Sequence, residues 1–130
     1  MTTFIDTSAL YALLDEDDAN HAAAVDILRR LRGEALVTHS YVLVETLALV
    51  SRRLGWAAVE RLLDAIMPVV RVIAVDESLH EVALAAYREA GTSRISFVDR
   101  TSFACMRAQD ATTAFAFDAD FETAGFDLAE

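Results

Sequence analysis

MTTFIDTSALYALL, residues 1–14, opens the chain with a short apolar run, an aspartate, two hydroxyl residues and a second apolar run. Thr3 to Asp6 reads as a short buried strand, and after Thr7 and Ser8 a short helix runs to about Leu14. This strand-then-helix unit repeats along the chain. The acidic turn Asp15 to Asp18 leads into a helix near Asn20 to Arg32, which Gly33 closes. Ala35 to Thr38 is a second strand, and Ser40 can cap a long helix through Leu54 that ends at Gly55. A helix over Ala57 to Ile66 stops at Pro68, and Val69 to Val75 makes a β-branched buried strand. Asp76 or Ser78 then caps a helix to Ala90, Gly91 follows, and Ser96 to Gln109 is helical again. Thr113 to Phe117 is the last clear strand; Phe121 to Leu128 is too short to assign. Strands alternating with helices predict an α/β fold, a parallel sheet covered on both faces, because a parallel pair needs a crossover and the crossover is usually a helix. Ligands of such sheets bind beyond the carboxyl ends of the strands, where the strand order reverses.

The totals fit one domain over residues 1–130. The chain is 55% hydrophobic and 25% charged, and it has no Gly-, Pro- or Ser-rich linker, internal repeat or low-complexity tract. No apolar stretch approaches the ~18 residues of a membrane helix, and the start lacks a basic segment followed by a long apolar run. A cytoplasmic location without membrane attachment is the simplest expectation. The single cysteine, Cys105, lies in FACMRA as a small core residue, and His21, His39 and His80 are too scattered for a zinc site. A bound metal would therefore take oxygen ligands. The net charge of −10 opposes general electrostatic attraction to nucleic acid, so any RNA contact must be local. All 11 basic residues are arginine.

Four carboxylates stand out. Asp6 follows the apolar pair Phe4 and Ile5, and Asp118 directly follows the strand Thr113 to Phe117, so both emerge at strand carboxyl ends, although turn and cap roles also suit each. Glu45 interrupts YVLVETLALV on an apolar face, where a carboxylate suffers desolvation unless a cation or hydrogen-bond donors meet it. Either a ligand role or a buried ion pair with an arginine answers that cost. Asp99 sits three residues after Ser96, the spacing of a capping box, yet a first-turn acid also projects toward whatever binds at that end of the sheet. Asp120 and the turn Asp15 to Asp18 read as solvated surface, with Asp120 an optional outer ligand. Converging oxygens without histidine or thiolate suit Mg²⁺ or Mn²⁺, and two such ions roughly 3.5–4 Å apart serve phosphodiester hydrolysis.

Taken together, FIDTSAL, VETLAL, ISFVDRTSFACMR and AFAFDADFETAGF resemble the four motifs of the PIN-domain ribonucleases, most of all the toxin nucleases of VapBC-type toxin–antitoxin pairs. The resemblance spans nearly the whole chain. It implies a three-layer sandwich with a central parallel sheet of about five strands and helices on both faces. It further implies an endoribonuclease that depends on Mg²⁺, with Mn²⁺ as substitute, and cleaves structured RNA. Asp6, Glu45, Asp99 and Asp118 become its catalytic metal ligands, with Thr7 or Ser8 as polar support of the first. The implied partners are a cognate antitoxin with an arginine-rich segment that blocks the site and a second copy in a homodimer. Ala116 departs from the pattern, which often has threonine or serine two residues before the fourth acid. Arg94 and Arg100 flank Asp99 and are candidates for RNA phosphates, although either alone also suits a solvated helix face; Arg52 and Arg53 suit the carboxyl end of their helix.

Two other readings compete. Aspartate-nucleophile phosphatases and response-regulator receivers share this kind of topology, but their sites include a lysine and this chain has none. A non-catalytic PIN-like binding module would keep the acidic pocket only to dock an arginine-rich partner segment.

Overall fold

The computed structural model describes residues 1–130. Its strands are β1 (Thr2–Ile5), β2 (Ala35–His39), β3 (Val70–Ile73), β4 (Thr113–Phe115) and β5 (Asp127–Leu128), all parallel in the order β3-β2-β1-β4-β5. The helices are α1 (Thr7–Leu14), α2 (His21–Arg30), α3 (Ser40–Leu54), α4 (Trp56–Arg61), α5 (Glu77–Ala90), α6 (Phe97–Ala108) and α7 (Asp120–Thr123). From β1 the chain steps outward to β2 and β3, then returns across the sheet to β4 and β5. Right-handed crossovers consequently place α1 to α4 on one face and α5 and α6 on the other. The reversal of strand order falls between β1 and β4, which pair through Phe4 and Ala114. Asp6 follows one of these strands and Asp118 the other.

One contiguous core joins the layers. Phe4 and Phe115 on the central strands are fully buried, as are Leu10 on α1, Val42 and Val50 on α3 and Met106 on α6. Phe121 on α7 packs 6.1 Å from the Phe4 ring and 5.1 Å from Phe103, which locks the short C-terminal helix over the end of the sheet. This packing fixes the segment too short to assign from sequence, and β5 pairs beside β4 once Gly125 has turned the chain at φ 101°.

Several boundaries differ from the sequence expectations for identifiable reasons. β4 stops at Phe115 rather than Phe117, because its partner β1 stops there: Asp6 N–H takes the Phe115 carbonyl and Phe117 N–H turns to the Ser8 hydroxyl. Asp118 therefore sits three residues beyond the strand, in a loop. β3 is an edge strand, not a buried one, and Arg71 and Val72 are exposed on it. The side chain capping α3 is His39, not Ser40, whose hydroxyl instead receives the Val75 N–H. After Arg61 the fourth helix widens into a π-helical turn over Leu62–Ile66, and Pro68 lies in the tighter turn Met67–Val69 that follows.

Candidate active site

Asp6 is the N-cap of α1 and is 4% exposed. Its Oδ2 accepts both the Ser8 N–H at 3.1 Å and the Ser8 hydroxyl at 2.7 Å, while the same hydroxyl oxygen accepts the Phe117 N–H at 3.0 Å. One serine thus ties the end of β1 to the loop that carries Asp118. Ala116, where a hydroxyl residue is more usual, is buried and contributes none; Ser8 serves the β4 end instead. Burial drives the Asp6 carboxyl up to about 6 despite these hydrogen bonds, and the charge of Asp118 adds to the rise.

Asp99 lies in the first turn of α6, whose N-cap is Ser96: the Ser96 hydroxyl accepts the Asp99 N–H at 3.0 Å. The capping box is half built, since the Asp99 carboxylate does not bond back to the Ser96 backbone, and that carboxylate joins the other acids. Its pKa is pushed up to about 7, first by burial and then by the negative charges of Asp6, Asp118 and Glu45, with the proximity of the Asp118 carboxyl adding to the rise. Asp99 thus lies within electrostatic reach of the other three carboxylates singled out in the sequence.

The tightest grouping is not the one the sequence suggested. Oxygens of Asp99, Asp118 and Asp120 lie within 4.8 Å of one another, whereas Asp6 and Glu45 stand outside that trio. Asp120 is more than solvated surface: its N–H is held at 2.9 Å by Asp118 Oδ1, and its carboxylate pairs with Arg94 at 3.4 Å. The sequence signal was the spacing of DAD at the N-terminus of a helix too short to recognise. Glu45 requires the opposite correction. It is exposed, with exposed Val44 and Ala48 beside it, so no desolvation cost demands a partner. The apolar residues flanking it cover the rim of the helix rather than a buried face. Glu45 owes its position to Thr46, whose buried hydroxyl lies 3.3 Å from Thr7 and 2.7 Å from the Val42 carbonyl.

His39 completes the scaffold. Its Nδ1 accepts the N–H groups of Tyr41 and Val42 at 3.2 and 3.3 Å, and its Nε2–H donates at 2.8 Å to Ser102 on α6. One buried imidazole therefore fixes the start of α3, which carries Glu45, against α6, which carries Asp99. Burial pushes its pKa down to about 4, keeping the ring neutral. Its sequence signal was weak, because histidine seldom caps helices.

None of the four cavities is lined by Asp6, Glu45, Asp99 or Asp118; at the carboxyl end of the sheet the carboxylates run from buried Asp6 through half-buried Asp99 and Asp118 to exposed Glu45. Crowded carboxylates on three helices and one loop, with two pKa values raised and no facing histidine or thiolate, fit a hard divalent cation. The PIN domain model matches residues 3–127. The chain belongs to the PIN domain family. This PIN domain is 40% identical over 124 residues to the 23S rRNA-specific endonuclease VapC20 of Mycobacterium tuberculosis, covering 95% of this chain and 94% of that one. The crystal structure of Mycobacterium tuberculosis VapC20, a sarcin-ricin loop cleaving toxin, superposes on this PIN domain with a TM-score of 0.83 at 37% identity, over 97% of this chain and 96% of the other. The fold also matches FitAcB from Neisseria gonorrhoeae, with a TM-score of 0.73 at 19% identity over 100% and 97% of the two chains. VapBC2 from Rickettsia felis, bound to a promoter DNA fragment, matches with a TM-score of 0.73 at 15% identity over 98% and 97%. No helix of this PIN domain is long and apolar enough to cross a membrane.

Proposed function

We propose that the chain is a single-domain, Mg²⁺-dependent endoribonuclease over residues 1–130, active also with Mn²⁺, and the toxin of a type II toxin–antitoxin pair. The observation that carries this reading is the gathering of the Asp99, Asp118 and Asp120 carboxylates within 4.8 Å of one another, with the charges of Asp6 and Glu45 near enough to raise the Asp99 pKa. Like charges held together without a cation oppose folding, so their assembly argues for a ligand of opposite sign. Asp6, Asp99, Asp118 and Glu45 hold the cation, with Asp120 supporting Asp118. When bound, the cation neutralises the phosphodiester and lowers the pKa of water.

The side chains have separable tasks. Ser8 orients Asp6 and fixes the loop that carries Asp118. Glu45, exposed and without a hydrogen-bond partner in the fold, completes the shell from the solvent side, where with Asp118 it would orient or deprotonate the attacking water. The likeness to VapC20, named as specific for 23S rRNA, makes structured ribosomal RNA the substrate class to test first. The likeness to VapC20, a sarcin-ricin loop cleaving toxin, and the fold shared with VapBC2 support an antitoxin partner, and the proposed protein is a cytoplasmic homodimer inhibited by an arginine-rich antitoxin segment reaching the acidic cluster. Incubating the purified protein with 23S rRNA and Mg²⁺ tests the reading. Cleavage at a discrete site, removed by EDTA, supports it; intact RNA across ribosomal and transfer RNA with either Mg²⁺ or Mn²⁺ contradicts it and favours a binding module.

A further inference from the structure

Of the 11 arginines, only two pair with a carboxylate, so what marks any other is the setting of its guanidinium. Arg94 pairs with Asp120, and Arg29 pairs with Asp26. Arg100 and Arg107 do not pair. They lie two turns apart on α6 and line one cavity of about 250 Å³, walled by Val82 and Ala86 of α5, by Phe103, and by Ala124 just after α7. No acidic residue lines it.

Arg107 has a partial structural explanation: it lies in the last turn of α6, reaches the Ala124 carbonyl at 3.5 Å and stacks 5.3 Å from the centre of the Phe126 ring. Arg100 has none. It sits near the start of α6, where the helix dipole disfavours a cation, and its Nε is buried without any acceptor. A buried donor without a partner is costly, and native structures rarely leave one unless another group completes it. An anion entering the cavity would draw the guanidinium outward and supply that acceptor. The apolar walls lower the local dielectric and strengthen the attraction.

Building on the reading of RNA as the substrate, we propose that Arg100 and Arg107 form a phosphate-binding subsite that grips the RNA backbone along α6, beginning at the residue after Asp99 and extending two turns further. The subsite supplies locally the attraction that the net charge of −10 denies the protein as a whole. A guanidinium pair also suits phosphate better than point charges would, because each presents a planar fork of donors.

Proton–nitrogen NMR of the arginine Nε–H signals tests the subsite independently of catalysis, with R100Q and R107Q assigning the two signals. Titration with inorganic phosphate and then with a short single-stranded RNA should shift both signals saturably while the Arg29 signal stays in place. In cleavage assays each variant should raise KM on the order of tenfold with kcat within about twofold. The double variant should lower the salt dependence of binding by about 0.7–0.9 per lost contact. Unmoved signals, or equal movement of all arginine signals, overturn the subsite. So does a shift produced by an acidic peptide and not by RNA. If wild type cleaves no RNA, the proposed activity fails, while the NMR titration still decides whether phosphate binds here.

Discussion

The Ser8 hydroxyl stands 2.7 Å from Asp6 Oδ2, close enough that the acid at the end of β1 is oriented by the second residue after it. The same oxygen receives the Phe117 N–H, so Ser8 holds the two sides of the strand-order reversal together.

Ser8→Ala should therefore act on both stability and metal affinity. Losing the hydroxyl leaves Phe117 N–H without its acceptor and is expected to cost about 1–3 kcal/mol in chemical denaturation. It also removes a hydrogen bond that lowers the Asp6 pKa, so Asp6 should titrate higher than its present value of about 6. Manganese titrations should show weaker binding, with the pH midpoint of binding moved upward. A midpoint equal to wild type would mean that Ser8 does not orient Asp6.

Asp99→Asn should reveal the charge crowding through its pH dependence. With its pKa raised from 3.8 to about 7, Asp99 keeps a proton in the folded chain that the unfolded chain has released. Its contribution to stability is therefore complete below about pH 4 and is lost as pH rises toward 7. In EDTA the variant should gain stability relative to wild type across that window and hold the gain above it. The His39 contribution has the opposite sign but is common to both proteins and cancels. A stability difference that does not change with pH would show that Asp99 is an ordinary first-turn acid.

His39 gives a prediction of the reverse sign. Its pKa is lowered from 6.5 to about 4, so it stabilises the fold above pH 6.5 and that stability is lost as pH falls toward 4. His39→Ala leaves the Tyr41 and Val42 N–H groups and Ser102 without their partner, at an expected cost of about 1–3 kcal/mol at pH 7. That cost should shrink on acidification. Denaturation at pH 7 and pH 5 measures it, and a cost growing toward pH 5 would contradict a neutral, buried cap.

The α/β class, four of the five strands and most helices were legible because they rest on periodicity and on glycine and proline stops, which are local, whereas the count of five strands came only with the family resemblance. The motif resemblance reached the family for the same reason: FIDTSAL and ISFVDRTS are continuous segments. What escaped depended on tertiary contact. No local pattern shows that β4 must stop where β1 stops, that β3 has a neighbour on one side only, or that Phe121 is pinned between Phe4 and Phe103. Within the site, Asp6 and Asp99 lie where the motifs suggested, but the desolvation argument for Glu45 was mistaken because apolar neighbours along a helix do not establish burial. Asp120 and His39 each have local hydrogen bonds, but their side chains also take partners distant in sequence, Arg94 for one and Ser102 for the other, which no local pattern shows.

The central claim is that carboxylates converging on Asp99 form a cation site. Thermal melts of wild type and Asp99→Asn, each in EDTA and in excess Mn²⁺, test it most directly. A cation bound only by the folded chain stabilises it by about 2–4 kcal/mol well above its dissociation constant. For a domain of this size that is a rise in Tm on the order of ten degrees. Wild type should show this rise and Asp99→Asn at most a small part of it. An unchanged wild-type Tm, or equal rises in both proteins, would contradict the account.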